Sequence, residues 1–173
     1  MTQRSVGRTP AAVTAARILL PLALAGAILF IFSNSMAVAQ VSSASSGRVL
    51  RWMQSGLDRL GLEELSRGLT MHFVRKMAHF LEYTLEGFLL ALCLRVYTRR
   101  YLAHLSWPML AGLLTALTDE TIQMFSAGRS SQVRDVWLDF LGVMAGIAAA
   151  LLLLGLIHAC VSLYQHRKKD GLT

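Results

Sequence analysis

Charge is scarce in this chain of 173 residues, of which 54% are hydrophobic. Asp, Glu, Lys and Arg together make up 16% of the residues, whereas soluble domains hold about 25%. The mean hydropathy is +0.50. This composition excludes an ordinary soluble domain and favours a membrane protein, and the length suits one compact domain.

Cysteine is nearly absent, since Cys93 and Cys160 are the two in the chain and lie far apart within apolar runs. This spacing excludes a disulfide scaffold and any Cys-x-x-Cys metal motif. We therefore predict that both are small, buried apolar residues.

Motifs for nucleic acids and nucleotides are also absent. The net charge is +7, which in a soluble protein would suggest a nucleic-acid partner. However, the sequence has no zinc-finger spacing, no RNA-binding aromatic motif and no phosphate-cradling glycine loop. We therefore expect no nucleic acid as a partner and assign the basic residues to anionic lipid head groups.

Four apolar segments approach the length of about 20 residues that a membrane-spanning helix needs. The first begins at Ile18 and must include the polar end of "ILLPLALAGAILFIFSNSMAVAQ" to reach across. The others are predicted over about 77–94, 101–118 and 136–164. The sequence thus predicts an all-α polytopic membrane protein with four transmembrane helices and one amphipathic interfacial helix.

A cleaved signal peptide is the alternative interpretation of the first segment. Arg4, Arg8 and Arg17 resemble a basic n-region, and "AVA" before Gln40 resembles a cleavage site. Because the chain retains Met1 onward, we expect a retained membrane anchor.

The placement of Lys and Arg predicts the orientation of the spans. The N-terminal tail, the 95–100 loop and the C-terminal tail carry nine basic residues clustered at span ends, against eight more widely spread ones on the other side. We therefore predict a cytoplasmic N-terminal tail (1–17), a membrane domain (18–164) with an extracytoplasmic loop (37–75), and a basic cytoplasmic tail (165–173).

The predicted extracytoplasmic loop contains an amphipathic pattern. After a serine-rich, turn-like start, Val49, Met53, Leu57 and Leu60 recur at helical spacing. This pattern predicts a helix lying on the outer leaflet. The alternative is an ordinary helix packed over the mouth of the bundle.

Ionisable residues interrupt the second segment, in "FVRKMAHFLEYTLEGF" (73–88). Lys76, His79 and Tyr83 share one helix face, and Glu82 and Glu86 lie on a neighbouring face. Glu86 falls about 14 Å below the start of the segment, near mid-bilayer, where a charge costs at least about 2.5 kcal/mol. For Glu86 we predict a protonated or hydrogen-bonded helix contact.

Two further polar clusters follow. "TDETIQMF" ends the third segment, and "AGRSSQVRDVWLDF" opens the fourth, where carboxylates are favoured by the helix dipole. By the predicted topology all three clusters face the outer mouth, so we predict one polar site there. Its predicted ligand-binding residues are Lys76, His79, Glu82, Tyr83, Asp119, Glu120, Gln123, Arg129 and Asp135.

The predicted role of this site is binding of an anionic or lipid-linked envelope component. Arg129 is the best candidate for a bidentate grip on a phosphate or carboxylate, with Lys76 and Arg75 beside it. Structural pairing between helices is an alternative explanation for the same charges.

Two other functions stay open. A hydrolase or transferase acting on lipids would use His79 and Glu82 as catalytic candidates, and a small carrier would relay protons through Glu82 and Glu86. His79 and the carboxylates could supply metal ligands, but no His-x-x-x-His or His-Glu-x-x-His pair supports this. We therefore predict no metal and no cofactor.

Three stretches resemble the VanZ family of bacterial membrane proteins. "FIFSNSM" resembles the family's phenylalanine-serine motif, and "RKMAHFLEY" its Lys-x-x-His-Phe-x-x-Tyr motif. "TDETIQMFSAGRSSQVRDVWLDFLGVMAG" resembles its longest motif, although the family commonly has Asn where this chain has Asp139. The matching positions of the longest motif are Asp119, Glu120, Gln123, Phe125, Gly128, Arg129, Asp135, Gly142 and Gly146.

This resemblance implies a multi-pass protein of the cell membrane. Members of the family are associated with resistance to the glycopeptide teicoplanin, which is a phenotype and names no reaction. It implies as partners membrane lipids and either a lipid-linked cell-wall intermediate or a glycopeptide. The oligomeric state, the ligand and the role of Asp139 do not follow from it.

Overall fold

The structure is a computed structural model that describes residues 10–37, 39–127 and 132–170. Within these ranges the chain is helical and contains no β-strand, which confirms the all-α prediction. A 3-10 turn separates the fourth and fifth helices. The helices are α1 (Pro10–Met36), α2 (Ala39–Arg59), α3 (Glu63–Gly68), α4 (Met71–Tyr97), α5 (Ser106–Met124) and α6 (Val133–Asp170).

Three of these helices are long and apolar enough to cross a membrane: α1, α4 and α6. Large apolar side chains of α1, such as Leu22 and Leu29, are exposed, as lipid-facing residues would be. The predicted third span corresponds to α5, which has 19 residues and is not among the three. Its mean hydropathy is lowered by Asp119 and Glu120, and both of these side chains are buried.

The four helices α1, α4, α5 and α6 run in alternating directions. The Tyr97 hydroxyl at the end of α4 donates to the Arg17 carbonyl near the start of α1, so these two helices are antiparallel. Helix α6 runs parallel to α4, since Gly142 faces Phe80 and Gly146 faces Thr84. Helix α5 connects the end of α4 to the start of α6 and therefore runs antiparallel to both. The ends of α4 and α6 therefore lie with the start of α1, and the start of α4 lies at the opposite end of the bundle.

The largest interface joins α4 to α6 and depends on glycines. A Cβ at Gly142 would lie 2.6 Å from the Phe80 carbonyl oxygen, and one at Gly146 would meet the Thr84 carbonyl. These two glycines, four residues apart, therefore form a small-residue face on α6. Gly87 completes it from the α4 side, because a Cβ there would meet the backbone of Val143. This close approach brings the polar faces of the two helices together.

Helix α2 packs against α3 and α4. The predicted turn-like start is wrong, because the helix already begins at Ala39 and includes the serines. Met53 and Leu57 of the predicted stripe are half-buried, while Leu60 is exposed beyond the helix end. A turn at Gly61, with φ of 73°, leads to α3. Whether α2 lies on a membrane surface stays a prediction.

Both cysteines carry free thiols. Cys93 is partly buried, but Cys160 is exposed on α6. The predicted burial of Cys160 is wrong because the last third of α6 has few neighbours among the described residues. In a bilayer that surface would face lipid.

Candidate functional site

The first half of α4, the end of α5 and the start of α6 meet at one end of the bundle. Thr70 begins α4 by accepting a hydrogen bond from the Phe73 amide, at 3.2 Å, as an N-cap residue does. Because α5 runs antiparallel to α4 and α6, its last two turns lie beside their first turns. The polar residues of three separate sequence stretches therefore share one depth.

A cavity of about 110 Å³, here called the polar cavity, lies between these three helix ends. That volume accommodates several water molecules or a phosphate-sized group. Nine of its ten lining residues are polar or charged. They are His72, Arg75, Lys76, His79, Glu120, Gln123, Gln132, Asp135, Leu138 and Asp139.

One ion pair closes the polar cavity between α4 and α6. Lys76 Nζ lies 2.6 Å from Asp135 Oδ1, and both side chains are mostly shielded from solvent, at 33% and 25% exposure. Asp135 lies in the first turn of α6, where the helix dipole also stabilises a carboxylate. This Lys76 charge is thus already balanced by a neighbour.

A second polar contact joins α1 to α4. Asn34 Nδ2 donates to Glu82 Oε1 at 2.8 Å. The other oxygen of Glu82 lies 3.8 Å from His79 Nδ1, one helical turn earlier. Glu82 therefore links the end of α1 to the imidazole that lines the polar cavity.

The end of α5 is held by amide and hydroxyl groups. Gln123 Nε2 donates to Asp119 Oδ2 at 2.9 Å and approaches Ser35 Oγ at 3.4 Å. Ser126 Oγ donates to the Ser35 carbonyl at 2.9 Å. Glu120 Oε2 accepts a hydrogen bond from the backbone amide of Gln132 at 3.1 Å, and this bond connects α5 to the start of α6.

The most buried part of the site is a group of carboxylates and one imidazole. Asp119 and Asp139 are 0% and 2% exposed, and each places an oxygen within 4.8 Å of the other and of a His79 nitrogen. Tyr83 and Glu86 are each 0% exposed and lie near Asp119. Three different helices supply these residues.

A second, larger cavity opens beside the polar one, between α1, α2 and α4. This apolar groove has a volume of about 730 Å³ and is lined by side chains such as Phe30, Val49 and Met53. Arg75 and His79 line both the groove and the polar cavity. The two compartments are therefore adjacent and share a charged and a titratable side chain.

The structure brings together all predicted site residues that it describes. Lys76, His79, Glu120, Gln123 and Asp135 line the polar cavity, and Glu82, Tyr83 and Asp119 lie against its members. Arg129 lies outside the described residues, as do Gly128 of the longest motif and Arg4 and Arg8 of the N-terminal tail. The binding roles of these residues stay predictions.

The predicted set lacked several residues of the site, among them Asn34, Ser35, Arg75 and Asp139. Asn34 and Ser35 belong to an uncharged polar triplet that closes an otherwise apolar helix, and this triplet is the signal that could have identified them. Asp139 lies one turn after Asp135 and was recognisable by that spacing. Arg75 was a candidate anion ligand beside Lys76.

Comparison with protein families agrees with the family that the sequence motifs resemble. The family model described as VanZ/LLP1 matches residues 18–154, which is most of the chain. The chain belongs to the VanZ/LLP1 family. No curated protein and no solved structure matches it.

The VanZ/LLP1 match extends from the third turn of α1 into the middle of α6. It therefore includes Asn34, the whole of α4 and α5, and Asp135 and Asp139 of α6. Every described residue of the candidate site lies inside the matched region, whereas the basic C-terminal end of α6 lies outside it.

Proposed function

We propose that this VanZ/LLP1 protein is a multi-pass protein of the cell membrane that binds an anionic, lipid-linked component of the cell envelope. The acyl or prenyl chain occupies the apolar groove, and the anionic group lies at the edge of the polar cavity. The observation that carries this proposal is that Arg75 and His79 line both compartments. A ligand with one apolar and one polar end fits such a pair of cavities.

The surroundings of the Arg75 guanidinium support an anionic ligand. Arg75 Nη2 donates to Ser43 Oγ at 3.1 Å, and its buried Nε has no hydrogen-bond partner among the described residues. No carboxylate of the described chain lies within 4.0 Å of its guanidinium. A partly buried guanidinium without a counter-ion is a ready binding group for phosphate or carboxylate.

The groove has the size that lipid binding requires. Its volume of about 730 Å³ falls within the range of about 300–1,000 Å³ that is usual for small-molecule sites. Its apolar side chains come from three helices, so the ligand chain would contact α1, α2 and α4 together. The predicted amphipathic stripe of α2 then serves as one wall of the groove.

The proposal includes four membrane spans, with α5 as the third. Because α6 is parallel to α4, α5 must carry the chain back across the bundle. Its 19 residues extend about 28 Å, close to the hydrocarbon thickness of about 30 Å. The residues that lower its hydropathy are buried against α4 and α6 and would not face lipid. We further propose that both termini are cytoplasmic and that the site is extracytoplasmic.

The resemblance to VanZ extends the proposal to glycopeptides. A site that holds a lipid-linked cell-wall intermediate would affect how teicoplanin, which acts on the cell envelope, finds its target. Resistance conferred by this chain is therefore part of the proposal.

Native mass spectrometry of the purified protein tests the proposed binding with two probes, a polyprenyl phosphate and phosphatidylcholine. We expect preference for the polyprenyl phosphate in the wild type and at least tenfold weaker binding in Arg75→Gln. Arg51→Gln on the exposed face of α2 is the matched control and should bind as the wild type does.

A second variant tests the groove without changing charge. Met53→Trp adds bulk to the wall of the groove and should weaken binding of the polyprenyl phosphate. Unchanged affinity in both Arg75→Gln and Met53→Trp, with a wild-type elution volume in gel filtration, would contradict the proposal.

Lipid hydrolysis is the second candidate function, favoured by the approach of His79 to Glu82. The Glu82 carboxylate lies 3.8 Å from His79 Nδ1, and an approach to about 3 Å when substrate binds would let it orient the imidazole for proton transfer. Mass spectrometry of the polyprenyl phosphate after incubation with wild type and with His79→Gln tests it. Head-group loss that His79→Gln abolishes would favour catalysis over binding alone.

A further inference from the structure

His79, Asp119 and Asp139 come from α4, α5 and α6, and their ligand atoms all lie within 4.8 Å of one another. Donor atoms around a metal ion, with bonds of about 2.1 Å, lie about 3.0–3.4 Å apart. Side-chain adjustments of about 1 Å would therefore allow all three to bind one ion. The interface between α4 and α6 is fixed by glycine contacts, so the backbones that carry two of the donors are held close together.

Two buried polar groups at this position have no other assignment. Asp119 is 0% exposed, and although its Oδ2 accepts from Gln123, its Oδ1 has no hydrogen-bond partner among the described residues. The Tyr83 hydroxyl, one turn after His79, is likewise buried without a partner in the described part of the chain. Native proteins rarely leave such groups unsatisfied, and an ion or water is the usual explanation.

The electrostatics of the group also favour a cation. Asp119 and Asp139 are buried beside each other, and Glu120 and Asp135 lie within electrostatic range of Asp139. Among the described residues two cations line the same cavity, but Lys76 pairs with Asp135 and Arg75 donates to Ser43. Two adjacent buried carboxylates repel each other when both are ionised, and a cation bound between them removes that repulsion.

We propose that His79, Asp119 and Asp139 bind one divalent transition-metal ion. One imidazole nitrogen with two carboxylates suits Zn²⁺, Mn²⁺ or Fe²⁺, whereas Ca²⁺ and Mg²⁺ prefer oxygen ligands alone. Glu82 beside His79 Nδ1 and Gln123 on Asp119 Oδ2 occupy the positions of groups that orient metal ligands.

The open coordination positions would face the polar cavity, which His79 and Asp139 line. Three protein ligands with free positions beside a cavity are typical of metal sites that bind a water molecule or an oxygen of a ligand. Metal binding and the proposed lipid binding can be tested separately. The metal is titrated without lipid, and lipid binding can be measured after the metal is removed.

Metal binding is tested on the full chain in detergent, stripped with EDTA and then titrated with Mn²⁺ or Zn²⁺ alone. Elemental analysis should find about one ion per chain in the wild type, and calorimetry should give its Kd. His79→Gln, Asp119→Asn and Asp139→Asn should each weaken binding at least tenfold. Asp58→Asn, which removes an exposed carboxylate of α2 away from the triad, is the control and should change the Kd less than twofold.

Cobalt gives a spectroscopic readout of the metal ligands themselves. Co²⁺ loaded into the stripped wild type should show visible absorption bands, and His79→Gln should alter their position as a nitrogen ligand is lost. Absence of stoichiometric binding at 100 µM metal in the wild type would overturn the proposal. Equal weakening in Asp58→Asn and the triad variants would also overturn it, because that result indicates diffuse attraction by carboxylates.

Discussion

Asn34 shows how one uncharged side chain near the end of a transmembrane helix can organise charged neighbours. Its amide donates to Glu82 at 2.8 Å and so connects α1 to the imidazole-bearing face of α4. Removal of a donor from a shielded carboxylate usually costs about 1–3 kcal/mol. We therefore expect Asn34→Ala to lower the melting temperature of the protein in detergent by several degrees.

Ser33→Ala is the matched control for Asn34→Ala. Ser33 is the preceding residue, but it is exposed, and its hydroxyl donates at 2.8 Å to the Phe30 carbonyl of its own helix. Its removal should leave the melting temperature within about one degree of the wild type, since surface substitutions usually change stability by less than 0.5 kcal/mol. Equal shifts in the two variants would show that the Asn34 contact contributes nothing specific.

Lys76 and Asp135 form the shortest ion pair among the described residues, at 2.6 Å, and are about one-third and one-quarter exposed. This pair lies between the exposed case, worth about 0–1 kcal/mol, and the buried case, where loss of one partner costs about 3–5 kcal/mol. We expect Lys76→Met and Asp135→Asn each to destabilise by about 1–2 kcal/mol. The double variant should lose less than the sum, with a coupling of about 1 kcal/mol in unfolding experiments. Additive losses would show that the two charges act independently.

The ionisable side chains of the site were predictable from the sequence, whereas its uncharged polar side chains were not. Lys76, His79 and Glu82 stand out because ionisable groups in an apolar segment are rare. Asn34 and Ser35 did not stand out, because an uncharged polar side chain near the end of a membrane span costs little free energy. The grouping of His79, Asp119 and Asp139 was also not predictable, since metal motifs are recognised by spacing within one helix, and these donors come from three.

At the scale of elements, the glycines of the α4–α6 interface determine how closely the two helices approach. A Cβ at Gly146 would meet the Thr84 carbonyl and lie 2.6 Å from the Phe88 amide nitrogen, so backbone atoms must move. Overpacking of this kind typically costs about 1–3 kcal/mol. Gly146→Ala should therefore lower the melting temperature, and it should also weaken metal binding by separating His79 from Asp139.

Gly155→Ala in the same helix provides the matched control. Nothing lies within 4 Å of a Cβ built at Gly155, and alanine favours helix over glycine by about 1 kcal/mol in water. Gly155→Ala should thus be neutral or slightly stabilising. A melting temperature for Gly146→Ala at or above that of Gly155→Ala would contradict the role assigned to the close contact.

The helices themselves were largely predictable, but their ends were not. The second predicted span, 77–94, lies inside α4, which begins six residues earlier at Met71, after the Thr70 cap. The fourth, 136–164, lies inside α6, which continues to Asp170. Hydropathy locates the part of a helix that lipid would cover, whereas caps and polar turns decide where it begins and ends. The serine-rich start of α2 was missed because serines favour turns by propensity, and packing onto α4 outweighs that weak preference.

At the scale of the whole molecule, the packing order of the helices was not predictable from hydropathy. Helix α4 lies at the centre and contacts α1, α2, α5 and α6. Its polar face is therefore surrounded by helices, which explains how one chain holds Glu86, Asp119 and Asp139 at 0–2% exposure in a bundle whose other surfaces are apolar. Periodicity indicates that a face is polar, but not which helix covers it.

The number of spans determines where the chain ends lie, and α5 decides that number. Four spans place both termini on one side, whereas three place them on opposite sides. The antiparallel course of α5 between the parallel α4 and α6 predicts that Arg99 and Ala127 lie on opposite faces of the membrane. Single cysteines at Leu60, Arg99 and Ala127, in a chain with Cys93→Ala and Cys160→Ala, test this with a membrane-impermeant maleimide on intact cells.

Leu60→Cys and Ala127→Cys should react in intact cells, and Arg99→Cys should react only after permeabilisation. The positive-inside rule gives this orientation, because Arg17, Arg95, Arg99 and Arg100 all lie at the end of the bundle opposite the site. The reverse labelling pattern would keep four spans but place the site in the cytoplasm. Reaction of Arg99→Cys and Ala127→Cys on the same side would mean that α5 does not cross, and the polar site would then lie at a helix that enters and leaves one face of the membrane.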